Sequence, residues 1–292
     1  MDWITGIQNA VNYVETHLLE PLDYGEIAKQ AACSPFYFQR IFGILCGMSL
    51  GEYIRNRRLT LAGSELSASD ARVIDVAYRY GYDTPESFTR AFTRFHGITP
   101  SEARKNSAGL KSFSRVSVQI ILKGGQVMDY KIVKKEAFTV LEKVEAQTIE
   151  DGQNKNTIPA FWARSHKDGT VATLLQQAAD RRFVFGICYN NKFTDAQTFD
   201  YAIAALYGGG AVPAGFRVQE IPARTWAVFP IIGAMPAAAQ ETWHKICAEF
   251  FPTSSYQPTY EMDVEAYTAG DMTAPDYKSE IWVPVTGKAE LA

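Results

Sequence analysis

Cysteine is scarce in this chain: four in 292 residues, at Cys33, Cys46, Cys188 and Cys247. None forms a C-x-x-C pair or stands at metal-ligand spacing from a histidine, so the thiols are expected to be reduced, mostly buried and cytoplasmic. Histidine is as rare (His17, His96, His166 and His244), and none lies beside a nucleophile motif. There is no G-x-S-x-G, no P-loop and no Rossmann glycine fingerprint, so no metal and no cofactor is expected. No stretch approaches the roughly 18–20 apolar residues of a membrane span, and no membrane association is expected. Basic residues are missing from the start as well. Lys29 is the first, whereas a secretory signal begins basic and turns apolar, so export is not expected.

Strong charge of one sign is also lacking, with a net of −3. The distribution says more than the sum. Residues 1–28 hold Asp2, Glu15, Glu20, Asp23 and Glu26 and no base. Residues 35–60 hold Arg40, Arg55, Arg57 and Arg58 against Glu52 alone, and residues 87–106 hold Arg90, Arg94, Arg104 and Lys105 against Glu102 alone. Two basic clusters on an acidic background make a local footprint for a polyanion, or else two solvated helix faces.

What is present in residues 1–106 is helical periodicity. Trp3, Ile7, Val11, Val14 and Leu18 form one apolar stripe, ending before Pro21. Asp23 with Glu26, and Ser49 with Glu52, read as capping boxes. Ser34-Pro35 reads as an N-cap followed by proline at the first helical position, with a stop at Gly47. The plan then recurs fifty positions on. Thr84-Pro85 repeats Ser34-Pro35, and Phe88, Arg90, Phe92, Gly97, Thr99 and Glu102 repeat Phe38, Arg40, Phe42, Gly47, Ser49 and Glu52. Caps, core aromatics and helix stops agree under one offset, which marks an internal duplication.

A short helix, a tight turn and a second helix with a free N-terminus is the geometry that enters a DNA major groove. In the first copy Phe38, Ile41, Phe42 and Leu45 form the buried stripe, and Phe36, Tyr37, Gln39 and Arg40 are expected to face the bases. In the second copy Phe88, Ala91, Phe92 and Phe95 are buried, and Glu86, Ser87, Thr89 and Arg90 face out. Arginine pairs with guanine, glutamine with adenine, and serine or threonine with either. Arg55, Arg57, Arg58, Arg94, Arg104 and Lys105 suit phosphates, which fix register. Two inequivalent reading helices on one chain imply an asymmetric site spanning grooves about 34 Å apart.

Residues 107–127 read as a linker, with a short extended piece from Val116 to Leu122. From Met128 the texture changes to short β-branched and aromatic runs: Tyr130–Val133, Phe138–Leu141, Phe183–Ile187, Phe216–Ile221, Thr225–Phe229, Tyr260–Ala266 and Glu280–Val285. Helical stretches interrupt them, at Ile158–Ala179 with a break near Gly169, and at Met235–Phe250. The sum is an α+β domain. A strand pair leading to a Trp-bearing helix occurs twice, at Val133–Trp162 and at Val218–Trp243. Alternation along Glu280-Ile281-Trp282-Val283 puts Glu280 and Trp282 on one face. If the isoleucine and valine pack on the helices, that face is open. A carboxylate among rings suits a cationic or amphiphilic ligand, although an ordinary solvated Glu fits the spacing equally well. Trp162, Tyr201, Trp226 and Trp243 are the further aromatic candidates for this ligand.

Two families resemble these patterns. Residues 8–105 resemble the DNA-binding domain of the AraC/XylS regulators, through Ser34-Pro35-Phe36-Tyr37-Phe38-Gln39-Arg40-Ile41-Phe42 with Gly47, and through Ala77-Tyr78-Arg79-Tyr80-Gly81-Tyr82, Phe88-Thr89-Arg90-Ala91-Phe92, Gly97 and Thr99-Pro100. Ala103 departs from the family, which often has tyrosine there. Residues 128–286 resemble the GyrI-like effector-binding domain, through Met128 to Val133, Phe199-Asp200-Tyr201, Glu220 to Ala223, Trp226 to Phe229 and Glu280-Ile281-Trp282-Val283-Pro284. That resemblance implies a duplicated strand-helix-strand-strand unit, a cleft for small, often cationic molecules, and a buried glutamate at Glu280.

The expected fold is therefore multidomain: an all-α tandem helix-turn-helix domain over 1–106, the linker 107–127, and an α+β GyrI-like domain over 128–287. The expected function is a sequence-specific DNA-binding transcription regulator, an activator that responds to a small-molecule effector. Its partners are double-stranded DNA and RNA polymerase, and it is not expected to be an enzyme. The alternative is a GyrI-like hydrolase, with Glu280 as general base, or a ligand-sequestering protein carrying a DNA-binding module.

Overall fold

A computed structural model describes residues 3–105, 109–117, 127–190 and 198–288. Its contacts divide the chain into two compact units. One comprises Met1–Pro35 with Met48–Ile121, and the other Phe36–Gly47 with Leu122–Ala292.

The helices follow their caps. α1 is Trp3–Thr16 and α2 is Tyr24–Gln30, the latter opened by the Asp23 carboxylate, which accepts from the Gly25 and Glu26 amides. α3 is Pro35–Cys46. α4 is Leu50–Ala68, with the Ser49 hydroxyl accepting from the Glu52 amide at 3.1 Å. α5 is Val73–Arg79, α6 is Pro85–His96 and α7 is Pro100–Lys105. The fifty-residue repeat is visible in the backbone. α3 and α6 start on corresponding prolines, and each is followed by a glycine in the left-handed region, Gly47 at φ 72° and Gly97 at φ 84°. Glycine takes that conformation without a Cβ penalty, so both helices stop at the same place. Thr99 and Glu102 cap each other reciprocally at α7.

In the first unit α4 is the axis. Leu59, Ala62 and Leu66 pack with Val76, Ala77, Tyr80, Phe88, Phe92 and Ala103. Phe88 and Phe92 are fully buried, each contributing about 1.5–3 kcal/mol. The first part of the expected linker belongs to this unit. Phe113 donates its amide to Thr60, Val116 to the Tyr53 hydroxyl and Lys111 to His96 Nδ1. Residues 107–108 and 118–126 of that linker, including most of the extended piece placed at Val116–Leu122, lie outside the described residues.

The second unit is built on antiparallel strands: β1 Lys131–Lys135, β2 Phe138–Thr148, β3 Val184–Tyr189, β4 Thr198–Leu206, β5 Arg217–Ile221, β6 Arg224–Ile232, β7 Tyr256–Pro258, β8 Met262–Tyr267 and β9 Lys278–Gly287. Between β2 and β3 run α8, Asn154–Lys167, and α9, Thr170–Gln176. They break at Gly169, which sits at φ 84°. Between β6 and β7 runs α10, Ala237–Lys245, continued by a wide π turn to Phe250.

The strand order is β1-β6-β9-β8-β3-β4-β2-β5, with β7 paired to β9. This order is palindromic in its halves. β2, β3 and β4 with α8–α9 repeat as β6, β8 and β9 with α10, the two repeats meet at β3–β8, and each lends its first strand to the other's edge. The duplication expected from sequence is thus real, with β1 and β5 exchanged. β4 escaped the strand reading. Its Ala202, Ala204 and Ala205 are buried on both faces, and alanine carries no strand signal.

Candidate functional site

Cross-strand partners share a face of a sheet, so the registers sort the side chains. Tyr201 pairs with Cys188 and Cys188 with Asp263. One row along, Ile203 pairs with Gly186, Gly186 with Glu265, and Glu265 with Ile281. On this face Phe161, Leu174, Phe199, Tyr201 and Ile203 pack together under α8 and α9.

Glu265 is the polar centre of that face. Trp243, on α10, donates its indole N–H to Glu265 Oε1 at 2.8 Å. Tyr267 donates its hydroxyl to the other carboxylate oxygen. On the opposite repeat Trp162, on α8, donates its indole N–H to the Tyr201 hydroxyl at 2.9 Å, and its ring meets Tyr267 edge-on at 5.1 Å. Burial, reinforced by the Glu265 charge, pushes both Tyr201 and Tyr267 well above the usual phenol range, so both hydroxyls keep their protons. The result is a carboxylate faced by indoles and phenols, the donor set that holds an organic cation by charge and by ring quadrupole.

Of the six ligand residues expected from sequence, the structure brings Trp162, Tyr201 and Trp243 to this face. Trp226, Glu280 and Trp282 lie on the other. Val264 pairs with Trp282 and Ala266 with Glu280, opposite in sense to Glu265. The face expected to be open is a second core. Trp226 and Trp282 pack with Phe183, Phe185 and Tyr189, and Glu280 accepts the Trp282 indole N–H at 2.7 Å. The alternation was read correctly, but it could not show that both faces of the sheet are buried. Asp263, Glu265 and Tyr267, which the structure adds to the face of Trp162, Tyr201 and Trp243, were not among the candidates read from sequence. Their signal was available: two acids and a phenol at period two inside an apolar strand.

The helix-turn-helix copies differ. In α6 Thr84 accepts from the Ser87 amide at 3.1 Å, Phe88 and Phe92 are buried, and Glu86, Arg90 and Arg94 are exposed on successive turns. The Ser87 and Thr89 hydroxyls bond the carbonyls of Thr84 and Pro85. In α3 the four residues expected to face outward are not outward. Phe36, Tyr37 and Gln39 are buried, and the Arg40 side chain is 17% exposed. Phe36 joins the cluster of Phe161 and Tyr201, 4.5 Å from the Phe199 ring, and Tyr37 meets Tyr260 edge-on at 4.4 Å. Arg40 bonds both oxygens of Asp263 and lies 4.5 Å over the Trp243 ring. A helix carrying apolar rings on two faces can be buried on both, and α3 packs with the second unit.

Among the phosphate candidates, Arg55, Arg94, Arg104 and Lys105 are exposed. Arg57 and Arg58 are instead used internally. Arg57 clamps Glu15 through Nε at 2.9 Å and Nη2 at 2.8 Å, and also bonds the Phe113 carbonyl. Arg58 bonds the carbonyls of Leu18 and Glu20, closing the end of the first helical segment. Burial pushes the thiols of Cys33 and Cys247 up to about 12 and that of Cys46 to about 11, which leaves them unreactive near neutrality. Among the described residues there is no metal-holding cluster, and no helix is long and apolar enough to cross a membrane.

Comparison with known proteins agrees with both halves. Residues 27–106 match the helix-turn-helix domain family, and residues 131–285, more than half of the chain, match the integron-associated effector binding protein family. Regulatory protein SoxS of Salmonella typhimurium is 38% identical over 98 residues, covering 34% of this chain and 92% of SoxS. The HTH-type transcriptional activator AarP of Providencia stuartii is 36% identical over 103 residues, covering 35% of this chain and 76% of AarP. A solved structure of SAV2435 bound to tetraphenylphosphonium is similar to 56% of this chain and 97% of that one, at 24% identity and a TM-score of 0.49. The chain belongs to the integron-associated effector-binding family, joined here to an AraC-type helix-turn-helix domain as a DNA-binding transcription regulator.

Proposed function

We propose that this regulator is an activator whose effector is a lipophilic organic cation bound at Glu265. The observation that carries the reading is the Glu265 carboxylate held by Trp243 and Tyr267 among aromatic rings. Trp162 and Tyr201 complete the lining. Glu86, Ser87, Thr89 and Arg90 of α6 read bases, and Arg55, Arg94, Arg104 and Lys105 bind phosphates. Likeness to a named transcriptional activator supports activation, with RNA polymerase as the further partner. Four unpaired cysteines, of which Cys188 and Cys247 are buried, fit a cytoplasmic protein. Regulation is favoured over hydrolysis by the relatives that the helix-turn-helix half matches, which are named as a regulatory protein and a transcriptional activator.

The test is titration of the full chain with tetraphenylphosphonium, for wild type, Glu265→Gln and Glu280→Gln. Glu265→Gln is expected to weaken binding about ten-fold or more, and Glu280→Gln to leave it unchanged. Equal affinity for wild type and Glu265→Gln removes Glu265 from the site, and no binding by wild type removes the cation.

A further inference from the structure

The Glu265 face already holds a cation, and it comes from this chain. Arg40 of α3 lies over the Trp243 ring, whose indole N–H is bonded to Glu265, and its guanidinium is paired to the buried Asp263 beside them. Asn190 donates to the same Asp263 carboxylate at 3.3 Å. Two rings accompany the charge: Phe36 against Phe199, and Tyr37 against Tyr260. Tyr260 is held at φ 64°, a left-handed conformation uncommon for a residue other than glycine. A guanidinium flanked by two aromatic rings has the chemistry of a lipophilic cation. The same residues of α3 are those that the duplicated helix-turn-helix plan assigns to DNA, by their correspondence with the exposed face of α6.

We propose that α3 is an internal, tethered occupant of the effector site, and that an organic cation competes with Arg40 for it and frees α3 to read DNA. The proposal rests on the Glu265 reading above and names its regulation. The physical basis is exclusion. Arg40 cannot pair with Asp263 and with a base at the same time, and a cation stacked on Trp243 takes the place of the guanidinium. While α3 is docked, only the fraction of molecules with α3 free is competent for two-helix reading, so the apparent DNA affinity falls by that fraction. Cation and DNA then favour the same undocked state, and each strengthens the binding of the other by an equal factor.

The contact can be broken without touching the reading helix. Asp263→Asn removes the charge that holds Arg40, and Tyr260→Ala removes the ring that meets Tyr37. With no cation present, we measure the affinity of wild type and both variants for a duplex enriched from a random pool by the wild-type protein. Each folded variant is expected to bind about five-fold or more tightly than wild type. Unchanged or weaker binding by the folded variants overturns the proposal. The two variants lie on different contacts, so loss of folding in one leaves the other to decide.

In a second arm, amide hydrogen exchange of residues 36–47 in the full chain is followed with saturating tetraphenylphosphonium. Faster exchange is expected, and unchanged protection in a sample that binds the cation overturns the proposal. If the cation does not bind at all, the ligand chemistry of Glu265 fails, while the cation-free DNA affinities still decide whether α3 is locked.

Discussion

The hydroxyl of Tyr201 occupies the space that a Cβ on Gly186 would need. Gly186 is the cross-strand partner of Glu265, so the missing side chain makes the room in which Tyr201 meets Trp162 beside the carboxylate. A tyrosine ring on a strand cannot swing away as a lysine tip can, and a Cβ would also approach Trp162 Cζ2 at 3.4 Å.

Gly186→Ala is therefore expected to cost about 1–3 kcal/mol through overpacking. It should also break the Trp162–Tyr201 hydrogen bond. Urea denaturation measures the first effect, and the tryptophan emission spectrum follows the second. A variant as stable as wild type, with unchanged emission, would show that the site has slack.

Removing the indole donor at Glu265 isolates one bond of the site. Trp243→Phe keeps a ring and loses the N–H that reaches the carboxylate. A hydrogen bond to a charged group is worth about 1.5–3 kcal/mol, and Glu265 is half-buried, so the lower end is expected in chemical denaturation. No measurable loss would mean that water replaces the indole.

Arg57 and Arg94 should behave oppositely, although both lie in the basic clusters. Burial raises the Glu15 carboxyl, and the Arg57 and Tyr53 hydrogen bonds more than reverse this, holding it below the usual carboxylate range. Arg57→Ala is expected to cost roughly 2 kcal/mol, discounted from the 3–5 of a fully buried pair because both groups keep some contact with water. It should leave the salt dependence of DNA binding unchanged. Arg94→Ala should leave thermal stability unchanged and lower the salt slope by about one counterion. Interchanged outcomes would return Arg57 to the phosphate set.

His96 is expected to make the first unit sensitive to acid. The Lys111 amide donates to Nδ1 at 3.0 Å, so the proton sits on Nε2 and is given to the Leu59 carbonyl at 3.0 Å. Burial lowers its pKa from the ordinary 6.5, and Lys111 adds to this against the Leu59 bond. A depressed folded pKa means that the unfolded chain takes up the proton first. The contribution is complete above the unfolded value and is lost as pH falls through the window below it. Thermal midpoints are expected to drop from about pH 7.5 to about pH 5.5, and His96→Gln should flatten that fall. An equal slope in the variant would assign the acid sensitivity to other groups.

Much of the first unit was legible because its signals are local. Asp23, Ser49, Thr84 and Thr99 cap the helices they precede, and Gly47 and Gly97 stop the helices they follow. Such signals act over one turn and do not depend on the rest of the fold. Alternation in β9 was also read correctly, since it is a property of the strand alone. What alternation leaves open is which face meets helices and which meets rings, and the structure puts Glu280 on one face of the sheet and Glu265 on the other.

The duplicated Ser/Thr-Pro helices followed from sequence alone, because the offset of fifty residues ties caps, aromatics and stops together. Tertiary structure decided which of them is exposed. α3 and α6 carry the same pattern, yet Arg90 is exposed and Arg40 is paired to Asp263. The two partners of that ion pair stand 223 positions apart in the chain. No local propensity encodes a contact of that span. It forms because a helix with aromatic residues on two faces finds a second apolar surface, and the buried charge it brings must find its opposite there.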